Sequence, residues 1–326
     1  MDKSNKSIRN SKRNTQSLFK SGNTFAAMFY NYSKEWQLVL MFAPVVICLG
    51  IFCYAPMYGL IIAFKDYRIV DGILGSPWVG LKHFRTLLTT PSFGEVFLNT
   101  IKISFFRILF GFPAPIILSL MLNEIKNKKY KRVVQTVSYL PHFLSWVVLS
   151  GILINFLSPS TGFINQIITL LGGEAIYFVA DTHYFVPMLI STGIWQEVGW
   201  GTIIYLAAIS NINPELYEAA IVDGANRFKR IIHITLPSIA PIVSIMFILN
   251  SGNLINAGFD QIFNMYNEAV YRVADIIDTY VYRRGILQAQ YSFSTAVGLF
   301  KNIISFSIVV ITNIVSKKIN SEGGIW

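Results

Sequence analysis

Apolar residues run along this chain in six long blocks, at roughly 38–62, 97–122, 136–157, 184–209, 238–258 and 295–316. Each is about the 20 residues that an α-helix needs to cross a bilayer, and none shows the strict alternation of a half-buried strand. The pattern predicts an all-α, polytopic membrane protein with six transmembrane helices. The second block is the most interrupted, by Lys102, Arg107, Pro113 and Pro115. Prolines are tolerated in membrane helices where neighbours satisfy the freed backbone groups, so the block still reads as a span. The polar remainder divides the chain into a tail over 1–36 and a six-span domain over 37–320 with its core at 94–316. Three long outer segments, 65–93, 158–183 and 259–294, read as caps rather than separate domains.

One polar island, 213–237, stands between the fourth and fifth blocks. Asn213 can accept from the free amides of a helix start, Pro214 suits the first helical position, and Glu215 and Glu218 complement the positive end of the helix dipole. Gly224 offers the conformation that ends a helix. A second short helix is expected from Arg227 to Ile234 before Pro237 opens the next apolar block. The island therefore predicts a helix, turn, helix bracket outside the hydrocarbon.

Composition agrees: 53% of the 326 residues are hydrophobic and only 13% charged, against about 25% charged in soluble domains. The net charge of +10 would suit nucleic acid if it were spread over one face, but it is not. The N-terminal tail, the 123–132 loop, the island and the C-terminal end from Lys317 together hold 17 of the 27 basic and 7 of the 17 acidic residues, which is the whole excess. That asymmetry is the positive-inside pattern, and it places both termini and the island in the cytoplasm, with no nucleic-acid partner required. No short apolar core with a cleavage site precedes the first block, so the first span is expected to stay in the protein; Phe25 to Trp36 reads either as an interfacial segment or as part of a disordered leader.

Candidate chemistry is sparse. Cys48 and Cys53 share one span, five residues apart, and do not face each other. The four histidines have no metal-like spacing, so no metal site is expected. No Gly-x-x-x-x-Gly-Lys-Ser/Thr loop exists to hold a nucleotide, so ATP, if it drives this protein, binds another chain. The chemistry that remains lies in the spans. Asn250, Asn253 and Asn256 recur every three residues in the fifth block, and Trp195, Glu197 and Trp200 sit midway along the fourth. Aromatic faces combined with planar amide and carboxylate groups suit a carbohydrate, although asparagines also hold membrane helices together. Arg107 and Glu197, costly charges at this depth, either pair with each other across two spans or leave Arg107, or Lys102, to attract an acidic substrate.

The island resembles the cytoplasmic signature of permease subunits of ABC importers: Glu218-Ala219-Ala220, three residues, Gly224, nine residues, then Ile234, Leu236 and Pro237. The resemblance implies that 213–237, with Arg227, is a coupling region docking on a separate ATPase subunit that binds ATP and Mg, while this chain carries no cofactor and no catalytic residue. Tyr54-Ala55-Pro56-Met57-Tyr58-Gly59 and Trp78-Val79-Gly80-Leu81-Lys82-His83-Phe84 are similar to the sugar permeases of the polygalacturonate, alginate and lipoprotein-linked type. That likeness implies a multi-pass subunit of a bacterial cytoplasmic membrane importer. Its partners would be a second permease subunit, a pair of ATPase subunits and an extracytoplasmic solute-binding protein that delivers an oligosaccharide, an acidic one among the candidates. The competing reading is an ion-coupled secondary transporter, which would more often show internal repeats and broken helices around an ion site.

Overall fold

The computed structural model describes residues 36–319; the basic tail to Glu35, the run from Phe25 and the last seven residues lie outside them. The chain divides between Ile61 and Ile62 into two units. In the first, the helix Trp36–Leu49 passes into a π turn, Gly50–Tyr54, and then a 3-10 stretch that continues to Phe64. Pro44 lies inside this helix and leaves one carbonyl without its amide partner. No residue of Trp36–Leu49 is buried, and Cys48 and Cys53 are both free and exposed.

The second unit is helical, with one isolated bridge between Lys65 and Trp78 and no strands among the described residues. Four described helices are long and apolar enough to cross a membrane: Trp36–Phe64, Pro91–Glu124, Arg227–Gly252 and Tyr291–Lys318. A fifth is added if the pair Lys128–Phe143 and Trp146–Phe156, bent by 107°, counts as one broken span. The third block, expected as a span over 136–157, thus contains a corner. Asn127 caps the first half by accepting from the amides of Lys129 and Tyr130, Pro141 sits in the 3-10 turn that ends it, and Ser145 caps the second half. The carbonyl of Leu144, freed by the corner, accepts from the side-chain amide of Gln196 at 3.3 Å.

The fourth block forms the 26-residue helix Phe185–Ser210, about 39 Å long at 1.5 Å per residue. Trp195, Gln196, Glu197, Trp200 and Tyr205 dilute its apolarity, and it packs on Pro113–Glu124, on Lys128–Tyr139 and on Leu236–Gly252. Small residues let those backbones approach. A Cβ placed at Gly199 would lie 2.0 Å from the Ser138 carbonyl oxygen, and one at Gly201 2.8 Å from the Pro115 ring.

Two boundaries differ from the apolar pattern. The fifth helix ends at Gly252, not near 258, because Asn253 caps it and the chain turns through Ala257 and Gly258, both at positive φ. Its other end has no break at Pro237: Arg227–Arg230, a π turn at Ile231–Thr235 and Leu236–Gly252 run on as one helix. Pro237 falls in the first turn of the restarted α-helix, where a missing amide costs little.

The segment 259–294, expected as a cap, supplies core. Ile262, Met265, Val270, Ala274 and Ile276 are buried together with Ile103, Phe185 and Leu189. Two ion pairs pin it: Asp275 with both guanidinium nitrogens of Arg283, and Asp278 with Lys301 at 2.6 Å. Arg283 also lies over the Tyr271 ring at 5.0 Å. Nearby, the Lys65 ammonium donates to the carbonyls of Ile73 and Leu74 at 2.7 and 3.0 Å, and the Tyr67 amide donates to Ser292. Trp78 is exposed and stacks on Phe64.

Candidate functional site

A cavity of about 440 Å³ opens between the second, fourth and fifth spans. Six of the seven substrate-path candidates line it: Arg107, Glu197, Trp200, Asn250, Asn253 and Asn256. Trp195 does not; it is nearly half exposed on another side of its helix. The asparagines reach the cavity without sharing a helical face. Asn250 is in the last turn, Asn253 is the cap, and Asn256 follows in the turn, where its side-chain amide donates to the Asn253 oxygen at 3.0 Å. Non-helical backbone at this depth is tolerated where it is buried in protein or lines a wet cavity, and here it does line one.

Arg107 opens a π turn, Arg107–Gly111, immediately before Pro113; such turns interrupt α-helices most often where a side chain must be re-aimed. No ion pair joins it to Glu197 among the described residues. The Glu197 carboxylate instead meets His142 Nδ1 at 3.2 Å, and the His142 ring stacks on Trp200 with 4.6 Å between centroids and 4° between planes. Phe143 closes the group edge-on against Trp200. One wall therefore carries an aromatic plate with a carboxylate beside it, and another carries a guanidinium. Lys102, the other cation considered in the second span, is exposed and outside the lining. Sequence reasoning missed Gln261, which holds Arg107 from a distant segment; no local spacing announces such a contact.

The bracket forms as its capping residues dictate. Asn213 accepts from the Glu215 amide at 3.1 Å and starts the helix Pro214–Val222. At its end the Ala225 amide reaches the Ala220 carbonyl at 2.8 Å and the Gly224 amide the Ile221 carbonyl at 3.0 Å, with Gly224 at φ +77°. That is the Schellman arrangement, which favours a residue without Cβ at its left-handed position. Asn226 then caps the next turn through the Lys229 amide. Tyr217 hydrogen-bonds Thr235 at 2.9 Å across the bracket, and Arg227 lies 3.8 Å from Glu124 at the end of the second span. Glu218 and Ala219 are exposed, Ala220 and Ile234 half-buried, and Leu236 and Pro237 at the surface. Leu216, Ile221, Val222 and Phe228 present apolar side chains that no other described residue covers.

Gly224→Ala tests the turn alone, since an added Cβ would meet nothing within 4 Å. Left-handed backbone costs a residue with Cβ about 1 kcal/mol. The Ala225 amide should then exchange its hydrogen about 5-fold faster than in the unaltered chain; an unchanged rate would mean that φ at 224 is not what shapes the bracket.

Comparison with known proteins gives a consistent result. Residues 111–321 match the family described as binding-protein-dependent transport system inner membrane component. The chain is 44% identical over 290 residues to Protein LplB of Bacillus subtilis (strain 168), covering 89% of this chain and 91% of that protein. It is equally identical, over 89% of this chain and 90% of the relative, to the polygalacturonan/rhamnogalacturonan transport system permease protein YteP of the same strain. Its structure is similar to a chain in the crystal structure of a bacterial ABC transporter involved in the import of the acidic polysaccharide alginate. The TM-score is 0.84 and the identity 41%, over 90% of this chain and 99% of that one.

Proposed function

Because the chain belongs to the family of binding-protein-dependent transport system inner membrane components, we propose that it forms the substrate path of an importer whose cargo is an acidic oligosaccharide. Membership makes the chain a non-catalytic, membrane-embedded permease subunit of an ABC importer, and it removes the ion-coupled alternative. A separate ATPase pair binds ATP and Mg, a second permease subunit completes the pore, and an extracytoplasmic binding protein delivers the sugar. The tail and bracket face the cytoplasm of a bacterial cell. One similar solved transporter is in complex with a periplasmic protein that holds an alginate pentasaccharide, which supports the same division of labour here.

The observation that carries the reading of the cargo is the cavity itself, with an aromatic plate, three asparagine amides, a carboxylate and a guanidinium on its walls. Amides and Glu197 suit hydroxyls, the Trp200 ring suits the apolar face of a pyranose, and Arg107 suits a carboxylate. Glu218, Ala219, Ala220, Gly224, Arg227, Ile234, Leu236 and Pro237 form or support the face that meets the ATPase. Nucleotide-driven approach of two such brackets would rock the spans between inward-open and outward-open states.

The test is the reconstituted complex of this chain with a second permease subunit, an ATPase pair and a binding protein. ATP hydrolysis should rise several-fold with oligogalacturonate or oligoalginate and the binding protein together. Stimulation by neutral oligosaccharides alone, with none by either acidic one, would overturn the acidic reading. Uptake that persists without the ATPase would overturn the assembly.

A further inference from the structure

Gln261 is fully buried, on the helix Phe259–Met265 that follows the turn out of the fifth span. Its side chain spends every hydrogen bond on orientation. The amide nitrogen donates to the Leu189 carbonyl at 3.0 Å and to Thr192 Oγ1 at 2.8 Å, so the oxygen is fixed toward Arg107, whose Nη2 donates to it. The guanidinium is boxed by backbone as well. A Cβ at Gly258 would lie 2.4 Å from Nη2, and one at Gly193 would lie 3.6 Å from Nη1.

The same guanidinium is incompletely satisfied. Nε is buried with no partner, Nη1 has no hydrogen bond among the described residues, and no carboxylate lies within ion-pair distance. An unpaired cation in a membrane interior is expensive and persists where something else supplies its counter-charge. Glu197, on the same cavity, is turned to His142 instead.

We infer that Arg107 is the carboxylate-recognising group of the cavity and that Gln261, with Thr192 behind it, is the positioning residue that holds it there. The inference rests on the acidic-oligosaccharide reading and adds its specificity determinant. A neutral acceptor suits this role. It orients the guanidinium without neutralising it, so the full charge is left for a uronic acid carboxylate, with the planar fork already set. A carboxylate at 261 would pair with Arg107 and consume its charge, and it would lose the two donated bonds that fix the Gln261 side chain.

The experiment compares an oligogalacturonate with its carboxyl-reduced, neutral counterpart, each loaded on the binding protein, in ATPase and uptake assays of the full complex. The unaltered complex should prefer the acid. Gln261→Glu should raise KM for the acid about 10-fold or more and leave kcat for the neutral sugar within about 2-fold, collapsing the preference. Thr192→Val, which removes only the hydroxyl behind Gln261, should shift the preference the same way by about 3-fold, and it serves if Gln261→Glu fails to assemble. A selective unaltered complex whose preference survives both changes overturns the positioning role. An unaltered complex that draws no distinction between the two sugars overturns the acidic reading itself.

Discussion

Adding one methyl group at Gly199 is expected to lower the thermal stability of the protein sharply. The Cβ would lie 2.0 Å from the Ser138 oxygen, 2.3 Å from its carbonyl carbon and 2.9 Å from the Tyr139 amide nitrogen. All three are backbone atoms of a helix that Asn127 caps at one end and the Pro141 turn limits at the other, so no flexible side chain can swing aside. Overpacking of even ordinary cores costs about 1–3 kcal/mol, and a collision with backbone lies at or beyond the top of that range, against about 5–15 kcal/mol of total stability. Gly298→Ala is the control, because nothing lies within 4 Å of its added Cβ and alanine favours helix over glycine. Size-exclusion profiles of the detergent-solubilised proteins after heating should show the Gly199 variant aggregating well before the other two. Equal melting of all three would mean that the fourth span does not approach the bent third as closely as described.

Arg107→Glu is expected to lower uptake of an acidic oligosaccharide about 100-fold. The change removes the cation and adds a second carboxylate to a cavity that already holds Glu197, and it turns that carboxylate against the fixed oxygen of Gln261. Loss of a charge-assisted contact together with an unpartnered buried acceptor amounts to about 2–3 kcal/mol, which is about two powers of ten. Initial uptake rates into proteoliposomes, normalised to assembled complex, measure it. Unchanged uptake of the acid would remove Arg107 from the substrate path. Arg107→Gln, keeping a neutral donor, should fall between.

What the sequence declared in advance was what short range determines. Asn213, Pro214 and Gly224 each act on backbone within a few residues, so the first helix of the bracket and its turn could be written down from them, whereas the Asn226 cap and the continuation of the second helix past Pro237 were not. The spans followed from length and apolarity, and six polar or aromatic residues interrupting them converge on one cavity. What escaped was set by contacts between distant segments. Trp195 neighbours the cavity residues in sequence, yet 100° per residue carries it round the helix to another side. The corner at Leu144 and Ser145 could have been suspected from Pro141 and the Ser145 cap, but its 107° angle depends on packing. Nothing near Gln261 distinguishes it from any polar residue of an outer loop, because its importance comes from Arg107, 154 positions away. The family of the chain was carried by the bracket's spacing; the burial of 259–294 was carried by nothing local.

The unbroken helix Arg227–Gly252 joins the cytoplasmic bracket to the cavity wall, since Arg227 opens it and Asn250 lies in its last turn. Its 26 residues make a rod about 39 Å long. In the transport cycle proposed above, a tilt of this helix at the cytoplasmic surface would therefore be felt directly at Asn250, on the cavity wall.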